Sequence, residues 1–373
     1  MNSTRGIRWT TGISVAIVAI ATFAWLGLGH VSGSIKKIDA FAGLKSRPQK
    51  ASSAVNYLLV GSDTREGLTP AQLKALRVGS VASAAGKRSD TMLLVHISKA
   101  RDNAVIISLP RDTLATIPAH TSSTGKVINE QQAKLNAAFA WGDAPLLIST
   151  IENMSQLRID HYVEVNFAGF ANIVDSLGGV DVCTKKDIND PKSHLILAAG
   201  IHTLKGIEAL KYVRTRDFDG MGDLGRMQRQ QQFVSSVLRK ATSSGVLLNP
   251  LKLVNVLNAA LATVKTDSGL KSSDLLTLAK QMKNLSASKV RTLTIPLSDS
   301  NHFTPGLGST VVWDPILAPE LFQRLRQDLP VIDRVTPSPS AKASAKATPK
   351  ASPTVIDKFK TRTASENPCG AFR

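Results

Sequence analysis

The chain has 373 residues, enough for one large domain or two ordinary ones, and 43% of them are apolar, which excludes a chain too polar to bury a core. Lys and Arg number 46 against 28 Asp and Glu, a formal net charge of +18. That balance points to a polyanionic partner (nucleic acid, anionic lipid or phosphorylated polymer) without choosing among them. Motifs narrow the chemistry further. The chain contains no G-x-S-x-G, G-x-x-x-x-G-K-[ST], H-E-x-x-H or C-x-x-C, and its seven histidines show no ligand spacing, which argues against a serine hydrolase or a zinc enzyme.

The N-terminus carries no charged residue between Arg8 and Lys36, and Gly12 to Leu28 is apolar or small except for Ser14 and Thr22. With its flanks this stretch reaches the roughly 20 residues that cross a hydrocarbon core. Residues 12–31 therefore read as a transmembrane anchor, residues 1–11 as its cytoplasmic end, and residues 32–54 as a juxtamembrane linker. Arg5 and Arg8 favour that orientation, although Lys36, Lys37 and Lys45 on the other side make the charge asymmetry small. The competing reading is a signal peptide cut near Val31-Ser32-Gly33. Either reading puts the remaining chain outside the cytoplasm, which disfavours nucleic acid as the partner.

From Val55 the pattern becomes that of a folded domain, expected over residues 55–333. "VNYLLVG", "TMLLVHI" and "NAVIISLP" read as buried strands. His96, inside the second, reads as a packed core residue. Gly67–Lys87 lies between the first two strands as a polar, Ala-rich insertion without strand pattern. Helices are expected near Gln131–Trp141 and Ala144–Leu157, then a strand at "HYVEVNF", a helix at "FAGFANIVDSLGG" closed by glycine, and a strand at "GVDVCT". Further helices are expected at Gly206–Val213, Asp223–Ala241, Leu251–Val264 and Ser272–Met282, with a late strand at "KVRTLTIP". This mixture predicts an α/β domain with helices layered on a central sheet. Residues 334–354 are low-complexity Pro/Ala/Ser/Lys and read as a disordered linker. Residues 355–373 form a tail carrying Cys369. A Cys183–Cys369 pair in an exported chain favours a disulfide over a metal site. The alternative, a buried Cys183 and a free tail thiol, stays open.

Acids and arginines gather where strands end. Asp63 follows the first strand, Asp90 precedes the second, and Arg111 and Asp112 follow the third. Ligands bind at strand ends in open α/β sheets, and two converging carboxylates suit Mg²⁺ beside phosphate oxygens. For any single Asp the competing role is a turn or helix cap.

"KYVRTRDFDGMGDLGRMQRQQQF" holds a formal G-x-G-x-x-G at Gly220, Gly222 and Gly225. No strand feeds these glycines directly, and no acid follows about 20 residues on, so a dinucleotide fingerprint is not expected. If "VRTR" is extended, Arg214 and Arg216 share a side. Asp223 is placed to cap the next helix. Arg226 and Gln230 stack on that helix beside its positive N-terminus, with Met227, Val234 and Leu238 as its apolar stripe. Arg229 and Arg239 read as solvated surface residues.

The segments "LLVGSDTR", "RSDTMLLVHI", "ISLPRDT", "KLNAAFAWG", "HYVEVNFAGFANIVDSLGGVDV", "GIHTLKGIEALKYVRTRD" and "GDLGRMQRQQ" together resemble the LytR-CpsA-Psr family, over roughly Val55 to Val237. The resemblance implies a three-layer α/β/α domain with a central mixed β-sheet. It implies a single-pass membrane enzyme with an extracellular catalytic domain. Such an enzyme moves a glycopolymer from a polyprenyl-pyrophosphate carrier to peptidoglycan. Asp63 and Asp90 match its metal-associated acids, with Mg²⁺ or Mn²⁺ as the ion. Arg88, Arg111, Arg214, Arg216, Arg226 and Gln230 match its pyrophosphate-contacting set. Catalysis is then expected of Asp90, Arg111, Arg216 and Arg226. Asp90 and Asp223 are candidates for the base, and a muramic acid hydroxyl for the acceptor. Asn166–Leu177 and Leu251–Val264 would wall a lipid pocket, and Cys183 and Cys369 resemble an actinobacterial pair. Two other classes stay open. One is a polyprenyl-pyrophosphate hydrolase; the other is a non-enzymatic envelope protein that binds polyanions or regulates. Oligomeric state and the identity of the glycopolymer are not legible.

Overall fold

The computed structural model describes residues 36–78, 89–122, 124–216, 220, 222–243, 264–271, 274, 277, 286–335 and 354–366. Among these no helix is long and apolar enough to cross a membrane. The expected anchor at 12–31 lies outside them, as do the linker core, Cys369, and the expected helices at Leu251–Val264 and Ser272–Met282, apart from Val264, Asp274 and Thr277.

Eight strands build the central sheet: β1 (Lys36–Ile38), β2 (Val55–Ser62), β3 (Ser89–Ile97), β4 (Ala104–Leu109), β5 (His161–Val165), β6 (Val264–Asp267), β7 (Val290–Thr294) and β8 (Arg362–Thr363). Their order is β1-β6-β5-β2-β3-β4-β7-β8. The pairs β1/β6, β2/β5 and β4/β7 are parallel and the other four antiparallel, so the sheet is mixed. The helices are α1 (Pro70–Leu76), α2 (Leu135–Ser155), α3 (Phe167–Ser176), α4 (Gly206–Arg214), α5 (Gly222–Ser243) and α6 (Leu317–Arg326).

Side-chain alternation explains the layering. Leu58, Val60, Met92, Leu94, Ile107 and Leu109 point to one face, where Phe139 and Leu147 of α2 and Phe322 of α6 cover them. Leu59, Leu93, Val95, Ala104 and Ile106 point to the other, where Val234 and Leu238 of α5 lie. With both faces covered, β4 has no polar alternation and every residue of it is buried. Helices thus sandwich the sheet, as the sequence predicts. A second apolar cluster, around Val174, Val182, Leu210, Tyr212 and Phe233, joins α3, α4 and α5 to the strand Val180–Thr184.

Several expectations need correction. The insertion Gly67–Lys87 contains α1, started by a capping box between Thr69 and Gln72 with Pro70 at the first helical position. Gln131–Lys134 is a strand paired with Leu114–Ile117, because that edge offers a ladder that outweighs helical propensity. The helix that follows is one run broken at Gly142 and Asp143, where a Cβ on Gly142 would lie 2.5 Å from that of Leu146. Lys36–Ile38, read as linker, is an edge strand, and Arg362–Thr363, read as tail, forms the opposite edge. The strand β6, the hairpin Leu297–Thr304/Gly308–Trp313 and α6 were not expected at all.

Strand directions fix one end of the sheet as special. β2, β4, β5 and β7 all run the same way, so their carboxyl ends open on one side. β1 runs opposite to β2, which places Lys36 at that same end, where it pairs with Glu66 at 2.6 Å.

His96 is the core residue that the sequence suggests. It is buried on β3, with Nδ1 2.7 Å from Asn56 Oδ1 and Nε2 3.2 Å from Asp328 Oδ1. Burial holds its pKa below the ordinary 6.5, against the opposing pull of Asp328. The unfolded chain takes up this proton at a pH where the folded chain still refuses it. The stability present above pH 6.5 is therefore lost as pH falls toward the folded value. The urea midpoint should fall between about pH 7.5 and about pH 5.5, and His96→Gln should flatten that slope. An unchanged slope in the variant would assign the effect to another group.

Candidate active site

The helix α5 crosses one face of the sheet at the carboxyl ends of β4 and β7. Gly220, at φ 74°, turns the chain, and the helix begins at Gly222. The side chain of Gln231 then reaches down to the sheet, donating to Ser108 Oγ at 3.0 Å and Thr294 Oγ1 at 2.7 Å. These two hydroxyls stand at the ends of β4 and β7, so one amide registers the helix against both strands.

Arg111 lies in the turn after β4. Thr113 N donates to Pro110 O at 3.1 Å and Asn136 N to Arg111 O at 3.0 Å, which fixes the backbone. Asp112 orients the guanidinium. One of its carboxylate oxygens accepts from Arg111 Nε at 3.3 Å, and the other lies 3.3 Å from Lys134 Nζ. Arg226 and Gln230, one turn apart on α5, face the same place. A narrow cavity is lined by Arg111, Arg226, Gln230, Met227, Thr91 and Ser108, among others. Arg226 is only 3% exposed. A cavity with two guanidinium walls and an amide suits an anion with several acceptor oxygens.

The segment after α4 is stapled to the same helix. "VRTR" is not extended: Val213 and Arg214 close α4, and Thr215 is its C-cap. Arg214 and Arg216 therefore do not share a strand face. Instead Gln230 Nε2 donates to Val213 O at 3.3 Å, and Arg229 Nη2 to Thr215 O at 2.6 Å. The Arg214 guanidinium stands 5.1 Å from the centre of the Phe167 ring, at the start of α3 and just past the end of β5. The backbone N of Arg216 donates to the Asp190 carboxylate. Burial pushes the Tyr212 phenol up to about 12, so it stays neutral near these cations.

Asp63 is the residue just past β2. Asp90 sits on β3 at the irregularity between the Gly61/Thr91 and Ser62/Ser89 pairs. The two backbones therefore meet at the site end of neighbouring strands. The Asp90 and Asp223 side chains and all of Arg88 lie outside the described residues. Among the described residues no group of three or more His, Cys, Asp or Glu could hold a metal.

Three residues were misread or missed. Arg229 is buried, not solvated, because its guanidinium carries the Thr215 carbonyl. Arg239 is half-buried and donates to Ala364 O at 2.7 Å and Glu366 O at 3.0 Å, holding the C-terminal strand. Gln231 was overlooked, although Ser108, a lone hydroxyl in an otherwise apolar strand, signals a polar partner.

The LytR_cpsA_psr family model matches residues 31–311. The chain belongs to this family. It is 34% identical over 274 residues to "Probable cell wall biosynthesis protein LcpB" of Corynebacterium glutamicum, covering 74% of the chain and 61% of that protein. The chain thus spans about three-fifths of the length of that relative. It is 30% identical over 266 residues to "Polyisoprenyl-teichoic acid--peptidoglycan teichoic acid transferase TagU" of Bacillus anthracis, covering 69% of the chain and 78% of that protein. Among solved structures, "TagT bound to LI-WTA" superposes with a TM-score of 0.55 at 27% identity, over 77% of this chain and 94% of that one.

The Gln231 anchor is testable by stability. Gln231→Leu removes the donor shared by two hydroxyls and should cost about 1–3 kcal/mol in urea unfolding. A change within experimental error would mean that α5 is held by apolar packing alone.

Proposed function

We propose that the chain is a Mg²⁺-dependent phosphotransferase. It moves a glycopolymer from a polyprenyl-pyrophosphate carrier to peptidoglycan, at the outer face of the membrane. The observation that carries this reading is the cavity that unites Arg111, Arg226 and Gln230 at the carboxyl ends of the sheet. The transferase names of relatives such as TagU support the reaction class.

In this reading Arg111, Arg214, Arg216 and Arg226, with Arg88, bind the pyrophosphate, and Gln230 adds an amide donor. Planar guanidinium forks hold its oxygens bidentately and stay charged throughout. An acceptor hydroxyl oxygen attacks the phosphorus that bears the glycopolymer. The bond from that phosphorus to the bridging oxygen breaks, and polyprenyl phosphate departs with the bonding electrons. The hydroxyl proton passes to a carboxylate, Asp90 or Asp223. The arginines act chiefly on the charge growing on the departing phosphate, since phosphoryl transfer needs positioning and neutralisation more than covalent help. Asp63, just past β2, and Asp90, on the neighbouring β3, would hold a hard cation, with phosphate and water oxygens completing the shell. Bound there, Mg²⁺ (or Mn²⁺) would supply further neutralisation of the pyrophosphate.

Two features of the chain support the extracellular, membrane-facing placement. The uncharged stretch that reads as an anchor precedes β1, and β1 begins at the site end of the sheet. A short tether would therefore turn the cavity mouth toward the lipid. We further propose that Cys183 bonds to Cys369. Cys183 is buried, no cysteine among the described residues is free, and Arg239, which holds Ala364 and Glu366, also feels the charge of Asp181 two residues from Cys183.

Full-length protein with a polyprenyl-pyrophosphate-linked glycopolymer, peptidoglycan and Mg²⁺ tests the reaction. Arg111→Ala and Arg226→Ala should each lower kcat/KM by roughly 10²–10³-fold, and EDTA should abolish a turnover that added Mg²⁺ restores. Full activity in both variants would sink the proposal. Release of glycopolymer phosphate without attachment to the wall would instead identify a hydrolase. For the disulfide, peptide mapping without reductant should yield a linked Cys183–Cys369 peptide, and reduction should cost about 2–5 kcal/mol of stability. Alkylation of both thiols without reductant would refute the bridge.

A further inference from the structure

The hairpin Leu297–Thr304/Gly308–Trp313 is unlike the rest of the fold. From Ser298 to Phe303 every residue of its first strand is exposed, and Phe303 is 73% exposed. Strand pairing sorts its two faces. Phe303 pairs with Ser309 and His302 with Thr310. Thr310 is fully buried and its hydroxyl lies 2.8 Å from Thr304 Oγ1, so these two hydroxyls look inward, while His302 stays exposed. The opposite face carries Phe303, Ser309 and Asn301, with the Ser309 hydroxyl donating to Asn301 Oδ1 at 2.5 Å.

The hairpin is rooted in the site. Val311 N donates to Asp112 O at 2.9 Å, a bridge joins Thr113 to Val311, and Trp313 Nε1 donates to Thr113 Oγ1 at 3.2 Å. Asp112 is the residue whose carboxylate orients Arg111. Ser309 is two strand residues from Val311, so the backbone of Phe303 lies about 7 Å along the hairpin from the Thr113 bridge. Phe303 is not among the residues that line the cavity.

We propose that this outer face is a subsite for the acceptor, and that its ligand is a pyranose glycan strand; the proposal rests on the transfer reading above. The chemistry is specific to that class. An exposed aromatic face stacks on the C–H face of a sugar ring, while a neighbouring amide and hydroxyl bond its hydroxyl and N-acetyl groups. Asp299 and His302 on the same strand face each other at 3.4 Å, and neither strand of the hairpin carries a Lys or Arg, which disfavours an anionic ligand here. That separates it from the arginine-lined cavity, so one pole of the site takes phosphate and the other takes neutral sugar. A glycan seated on Phe303 would extend toward Arg111 and bring a hydroxyl to the bound pyrophosphate.

The test uses the full-length protein in detergent, with the β-1,4-linked tetramer of N-acetylglucosamine as the probe. Binding is read by ligand-detected saturation-transfer NMR and calorimetry. Wild type should bind with contacts to the sugar ring protons. Phe303→Ala should weaken binding by about tenfold or more, the loss of one well-packed anchor, and Phe303→Trp should restore it. Asn301→Ala should weaken it to a smaller degree. In the transfer assay Phe303→Ala should raise the KM for peptidoglycan while the KM for the donor stays within about twofold. Because Phe303 is exposed, an unchanged melting temperature will confirm that the variant folds. Equal glycan affinity in wild type and Phe303→Ala, or no binding by wild type, overturns the subsite. Loss of Arg111-dependent transfer with Phe303-dependent glycan binding intact would overturn the transfer reading alone.

Discussion

The side-chain amide of Gln231 is the contact on which the site depends. It crosses from α5 to Ser108 and Thr294, the hydroxyls at the ends of β4 and β7. Those strands are parallel neighbours, so their carboxyl ends already lie together. A helix laid over them by apolar packing alone could slide, because Val234 and Leu238 meet a surface of similar side chains. A buried amide bonded to two fixed hydroxyls admits one register. Arg226 and Gln230 precede Gln231 on the same helix, so that register aims them at Arg111.

Once α5 is fixed, it positions a second group of cations. Gln230 and Arg229 hold the carbonyls of Val213 and Thr215, and so set where α4 ends. Arg214 and Arg216 flank Thr215, which is fully buried. The arrangement concentrates positive charge that would repel itself in water. Neighbouring groups offset this: the Phe167 ring lies beneath Arg214, the Asp190 carboxylate accepts from the Arg216 backbone, and Asp112 sits between Arg111 and Lys134.

The two ends of the described chain close the two edges of the sheet. β1 covers one and β8 the other, so neither β6 nor β7 presents an open ladder. Arg239 clamps the second edge by two backbone carbonyls, and Ala364 N adds a bond to Val290 O at 2.8 Å. Both terminal segments read as linker or tail because they are short and polar. Their pairing is non-local, with partners 70 or more residues away in sequence, and no local pattern reveals it.

Much of the layered core was legible from the sequence, because burial on both faces leaves runs such as "NAVIISL" that nothing else explains. The strand ends, the helix α5 with its Arg226/Gln230 pair, and the acid and arginine inventory could also be read directly, since they follow from residue type and from periods of 2 and 3.6. Family membership came from ordered motifs over most of the domain. What only the tertiary structure decided is which of these residues meet. It closed α4 at Arg214 where an extended segment was conceivable, and turned Arg229 and Arg239 from surface charges into a buried and a half-buried donor. It also carried a polar hairpin from beyond residue 296 to the Arg111 turn. The physical reason is the same each time. Local sequence sets conformational preference and polarity, whereas the partner of a buried amide, guanidinium or backbone carbonyl lies tens to hundreds of residues away and is chosen by packing.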